Sequence, residues 1–201
     1  MLHGIPLKTS RNLKSKMALP AEAVRACARC GAPPTRYFLA VDIGRQTTSL
    51  FARPASGPAP DRRHKLVRAF RCSTSKFGIG ETAHSNMTPR GLHRIAKKIG
   101  GGWPAGTAFT GRQVTGFTWQ GKPSAPITTR IFWLEGLEPG LNRGGNVDSH
   151  ARYIYIHGAG NELTLGRPDS HGCVHLAAAD LIPLYDLLPE GTLVWIAESC
   201  S

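Results

Sequence analysis

Tyr153-Ile154-Tyr155-Ile156-His157-Gly158-Ala159 and, twelve residues beyond Gly158, Ser170-His171-Gly172-Cys173-Val174-His175 are the stretch on which the reading of this chain turns. Tyr153 to Ile156 alternates aromatic and β-branched residues, the composition of a buried strand, and it carries His157 to the strand's end. The chain then loops out and returns in a glycine-flanked turn that presents Cys173, which sets Cys173 beside His157. A thiol with an ordinary pKa of about 8.5 is a weak nucleophile at neutral pH and needs a base or a positive neighbour. Gly172 has no Cβ to crowd a substrate carbonyl. The N–H groups of Gly172 and Cys173 are placed to point together as an oxyanion hole. The carbonyl of Gly158 can accept from the other nitrogen of His157 and fix its tautomer. Two readings stay open beside this one. A lone cysteine serves as a small buried hydrophobe, and His157, His171, Cys173 and His175 carry zinc-type donors. A thiolate nucleophile must stay unligated, so no metal and no cofactor are expected.

Outward from this stretch, short runs with period-2 alternation dominate. Tyr37, Leu39, Val41 and Ile43 share one face of a strand, Gly44-Arg45 turns the chain, and Gln46 to Arg53 completes a hairpin. Further strands are expected at Leu66–Ser73, Gly91–Ile99, Ile127–Leu134 and Thr192–Ala197. A Pro/Ala/Gly loop at 54–60, an irregular stretch at 74–91 and a glycine-rich stretch at 100–121 lie between them. One helix is expected from Asp180 to Leu188, ended by Gly191; Pro183 is tolerated there only in the first turn, where no helical bond is lost. Many short strands with one or two short helices predict a mainly β fold, a sandwich or barrel. Residues 1–35 read as a basic, partly disordered extension and residues 36–201 as the folded domain.

The 201 residues are 41% hydrophobic and 19% charged, with 23 Gly and 15 Pro, which is enough apolar surface for one core and excludes a wholly disordered chain. No apolar run approaches the length of a spanning helix, so no transmembrane segment is expected. The basic N-terminal residues precede no apolar region of the kind a signal peptide needs, so no signal peptide is visible. The net charge of +12 is uneven: residues 1–100 hold 19 Lys/Arg against 4 Asp/Glu, and residues 101–201 hold 6 against 9. A balance of +15 in one half points to a polyanionic partner such as an anionic wall polymer. Nucleic acid is not expected, because no recognised motif and no basic stretch interleaved with aromatics is present. The five cysteines are an odd number, and Cys27-Ala-Arg-Cys30 reads as an incidental pair or a local disulfide.

His157-Gly158, the twelve-residue step and Ser170-His171-Gly172-Cys173 resemble the signature of the L,D-transpeptidase catalytic family of YkuD type. Gly166 before the serine, Asp180 and Tyr185 after it, and Gly191-Thr192-x-Val194-x-Ile196 agree with that likeness. Upstream, Tyr37 to Phe51 resembles the family's opening hairpin, and Ser73-Thr74 with Thr88-Pro89-Arg90-Gly91 resembles its "ST…TPxG" stretch. The resemblance covers about residues 36–197. It implies a mostly β fold and acyl transfer on peptidoglycan stem peptides. A cysteine attacks the carbonyl joining the third residue to the terminal D-Ala, D-Ala leaves, and a neighbouring stem's amine resolves the thioester. Carried over, Cys173 is the nucleophile and His157 the base, while Ser170, His171 and Gly172 shape the turn and its oxyanion donors. The resemblance also implies a periplasmic or envelope location and acylation of the cysteine by carbapenems. Two positions depart from the pattern: His175 replaces the usual Arg, and Ala159 replaces a common Thr. Arg167 and Arg143 are the nearby candidates to supply the missing guanidinium. Water or a protein amine as acceptor would give a carboxypeptidase or an anchoring enzyme, and a non-enzymatic wall-polymer-binding module is the alternative of another class.

Overall fold

The computed structural model describes residues 18–54 and 63–200. Residues 1–17, and most of the expected 54–60 loop, lie outside the described residues. The elements run α1 (Ala21–Arg29), β1 (Tyr37–Asp42), β2 (Thr47–Ala52), β3 (Lys65–Ser73), β4 (Gly91–Ile99), β5 (Thr107–Thr110), β6 (Gln113–Phe117), β7 (Thr128–Gly136), β8 (Tyr155–Gly158), β9 (Val174–Leu176), α2 (Ala178–Leu187) and β10 (Leu193–Ala197). The strands pair in the order β4-β10-β1-β2-β3-β9-β8-β7-β5-β6, and a further pairing of β4 with β7 closes the sheet. Closure leaves the β5–β6 hairpin projecting from β7 and removes the open edges that eight separate strands would expose. The fold is the mainly β barrel or sandwich with two helices that the alternation predicts.

Alternation along β1 sorts the packing. Leu39, Val41 and Ile43 join Ile95, Phe132, Leu134, Ile156, Val174 and Ile196 in the interior. Phe38 and Ala40 face the other way and are buried too, because α1 covers that side with Ala23, Ala26 and Cys27. These three small residues, at i, i+3 and i+4, make one narrow helix face that lets the backbone lie close to the sheet. Arg29 of the last turn reaches Glu138 at 3.1 Å, whose other oxygen accepts from the Leu92 N–H at 2.7 Å. A helix therefore stands within the stretch read as an extension, and it forms through docking rather than through its own apolar content.

Three further boundaries differ from expectation. α2 begins at Ala178, so Pro183 lies inside it, past the first turn. A proline inside a helix costs about 3 kcal/mol, and burial of Leu181, Leu184 and Leu188 at roughly 1.5–3 kcal/mol each exceeds that cost. The helix ends at Leu187, before Gly191, which serves the following turn with φ +86°. β8 starts at Tyr155 rather than Tyr153, because Tyr153 sits in the left-handed region at φ +57° and ends the preceding turn.

Candidate active site

β8 and β9 run parallel, with Ile156 opposite Val174 and His157 opposite His175. Ile156, Val174 and Leu176 point into the interior. The residues between them therefore project from the other face, where His157, Cys173 and His175 line a cleft of about 670 Å³. Residues 123–127, Ala159, Asn161, Thr164 and Asp169 also line this cleft.

The turn before β9 is held by a short relay of hydroxyls. Ser170 Oγ donates to the Cys173 carbonyl at 2.6 Å and accepts the Gly172 N–H at 3.2 Å. Thr88 Oγ1 donates to the Gly172 carbonyl at 3.0 Å and accepts the Ser75 N–H at 3.0 Å. Gly172 has φ +115°, and a Cβ there would lie 3.2 Å from the Met87 carbonyl oxygen, so both conformation and space call for glycine. The Gly172 N–H is committed to Ser170 Oγ, so the expected pairing of Gly172 and Cys173 donors is not free in this resting turn.

His157 Nδ1 lies 3.0 Å from the Gly158 carbonyl oxygen. A carbonyl only accepts, so Nδ1 carries the proton and Nε2 keeps its lone pair. Gly158 permits the close approach of β8 to β7, since a Cβ there would meet the Thr128 carbonyl at 2.7 Å. Burial pushes His157 down to about 3, and the charge of nearby His175 lowers it further; the Gly158 carbonyl works the other way. The two imidazole centroids are 4.6 Å apart. Burial likewise pushes His175 down to about 4 against the pull of Asp169.

Cys173 Sγ accepts the Tyr155 N–H at 3.4 Å and faces the Tyr153 carbonyl at 3.5 Å. Burial pushes the thiol up to about 11, while the Tyr155 N–H and the Arg152 guanidinium act to lower it. The pair thus rests as neutral thiol and neutral imidazole. His171 packs its ring on Phe77, 5.5 Å between centroids, at a position shared by the cleft and a second cavity of about 360 Å³ beside Tyr153. Among the described residues no group of three or more His, Cys, Asp or Glu side chains is placed to hold a metal ion, so the zinc-type donor set does not converge.

A family model, YkuD, the L,D-transpeptidase catalytic domain, matches residues 36–196. The chain belongs to this L,D-transpeptidase catalytic-domain family. Its fold superposes on Bd1075 of Bdellovibrio bacteriovorus with a TM-score of 0.52 at 17% identity, covering 92% of this chain and 52% of that one. An L,D-transpeptidase from Mycobacterium smegmatis gives 0.45 at 16% identity, covering 83% of this chain and 60% of that one. One from Xylanimonas cellulosilytica gives 0.41 at 22% identity, covering 86% and 68%. This chain therefore spans between half and two thirds of these proteins. A comparison with curated proteins finds no match.

Within this L,D-transpeptidase domain, the expected replacements for the arginine at 175 are elsewhere. Arg143 lies 3.9 Å from Glu135, and Arg167 is exposed with its carbonyl accepting from Ser73 Oγ at 2.8 Å; neither lines the cleft. The guanidinium whose charge acts on the Cys173 thiol is Arg152, which sequence reasoning missed. Arg152 donates to the carbonyls of Glu81 at 2.6 Å and Met87 at 2.7 Å, bracing the 80–87 loop that packs on the Gly172 turn. Its only sequence signal is that it directly precedes the tyrosine-rich run.

Proposed function

We propose that this chain is a cysteine-dependent peptidoglycan L,D-transpeptidase acting at the cell wall. The observation that carries the reading is Cys173 and His157 on one face of paired strands, opening into one cleft, with the lone pair of His157 Nε2 free. As Sγ attacks the carbonyl between the third residue and D-Ala, Nε2 takes the S–H proton. Because both groups rest neutral, proton transfer accompanies attack instead of preceding it. The developing oxyanion turns toward the backbone N–H groups of His171 and Cys173. When the intermediate collapses, His157 returns the proton to the departing D-Ala amine, leaving the thioester. The amine of a second stem then attacks, His157 takes its proton, and the thiol is regenerated. On the same reading, the positive excess of residues 1–100 rests on anionic wall polymer.

The test is intact-mass spectrometry after incubation with a carbapenem. The wild-type chain is expected to gain a single adduct and Cys173→Ala none. An unmodified wild-type protein, folded and with its thiol reduced, would overturn the reading.

A further inference from the structure

The tip of the β5–β6 hairpin brings Arg112 against the nucleophile's own neighbours. Its guanidinium carbon lies 4.6 Å from the Trp133 ring centroid and 5.0 Å from that of Tyr153, and Nη1 donates to the Tyr155 hydroxyl at 3.2 Å. Tyr153 and Tyr155 are also the residues whose backbones touch Cys173 Sγ. One aromatic layer therefore separates this cation from the thiol.

Charge is not balanced there. Among the described residues no carboxylate forms an ion pair with Arg112. Among the described residues its side-chain hydrogen bonds go to the phenols of Tyr155 and Tyr153, although a guanidinium offers five donors in a fork that suits a carboxylate. Arg152, the other guanidinium near the thiol, spends its donors on loop carbonyls and on Ser85 Oγ. The backbone is unusual as well: Arg112 has φ +71°, a region costly for a residue with a Cβ, where Gly or Asn would sit without strain. The cleft that holds Cys173 also contains Asp169, whose carboxylate would repel an anion.

We propose that Arg112 recognises the free C-terminal carboxylate of the donor stem, the carboxylate of the D-Ala that leaves. The inference rests on the transpeptidase reading of the site. That carboxylate is one α-carbon from the scissile nitrogen, so it lies within a residue's reach of Cys173, and Arg112 is held by the side chains of the two tyrosines whose backbones touch the thiol. The ring faces of Trp133 and Tyr153 hold the guanidinium flat. Its edge is left for a charge-assisted, bidentate contact that replaces the phenols. Arg112 thereby supplies the guanidinium that His175 no longer provides, from a different element.

The experiment compares a tetrapeptide donor with its C-terminal carboxamide, measuring release of D-Ala or its amide with kcat and KM separated. Wild type, Arg112→Gln and Arg112→Lys are assayed, each checked by thermal melting. Wild type is expected to prefer the carboxylate donor by about tenfold or more, chiefly through KM, the size of one charge-assisted hydrogen bond. Arg112→Gln is expected to bring that ratio near one, and Arg112→Lys to keep an intermediate ratio. If Arg112→Gln slows both donors alike and the ratio persists, Arg112 is a structural clamp on the aromatic rings and the proposal fails while turnover remains. Absence of release from either donor by wild type overturns the transpeptidase reading itself, and the recognition role with it.

Discussion

Cys27 on α1 and Cys173 at the cleft have thiols pushed up to about 11 by burial, each against a backbone hydrogen bond that lowers it, yet their surroundings otherwise differ. Cys27 packs among Phe38, Leu92 and Trp195, with the Cys30 thiol and Glu138 raising it further. Cys173 has a backbone N–H and a guanidinium acting the other way, an open cleft, and an imidazole on the same strand face. Ionisation alone therefore does not distinguish a nucleophile in this fold. A base with a free lone pair, and access for substrate, make the difference.

His157→Asn would bring Cys173 nearer to Cys27 in one respect, leaving a cleft thiol without a base. Carbapenem acylation, followed as adduct formation over time, is expected to fall by about 10²–10⁴-fold. A loss below tenfold would mean that the thiol needs no base and that the comparison is wrong.

The cleft face also ties folding to pH. His157 and His175 are held near 3 and 4, well below the ordinary histidine value. Between about pH 6.5 and those values the unfolded chain binds protons that the folded chain excludes. Stability is therefore complete above about pH 6.5 and declines as the pH falls, by about 1.4 kcal/mol per pH unit for each such group. His175→Gln removes one group's share, and its melting temperature is expected to drop less steeply between pH 6.5 and 5 than that of wild type. Equal slopes would show that His175 titrates normally in the folded chain.

The smallest effect is expected at the other thiol. Cys27→Ala should cost about 1 kcal/mol in denaturant unfolding, the central value for point substitutions, and leave the rate of carbapenem acylation at its wild-type value. A change in that rate would couple the helix-covered pole to the cleft.

The barrel strands were legible because their alternation separates two faces, as Leu39 and Val41 against Phe38 and Ala40 show. Helix α1 was not, since Ala23, Ala26 and Cys27 present a face too small to stand out in a basic segment. Its stability comes from docking on residues far away in the chain. The start of β8 was misplaced because Tyr153 has a strand-forming side chain on a backbone that the preceding turn forces left-handed. At the site, Cys173 and His157 stand in a compact motif around one loop, so their shared place in one cleft was legible locally, and the chemistry proposed for them rests on that motif. Arg112 and Arg152 were not legible in this way, because each comes near the thiol's neighbours only through tertiary folding. The same holds for the Gly172 N–H, whose partner depends on how Ser170 turns.

β10 pairs in parallel with β1 on one side and antiparallel with β4 on the other. The last barrel strand to be synthesised is thus wedged between two made much earlier. Until residues 193–197 emerge, β1 and β4 each wait with an unpaired edge, although the catalytic turn is already complete. Acquisition of a closed, protected barrel is therefore a late event in the making of this chain, and any nascent form that stalls before β10 carries a finished cysteine motif on an unfinished scaffold.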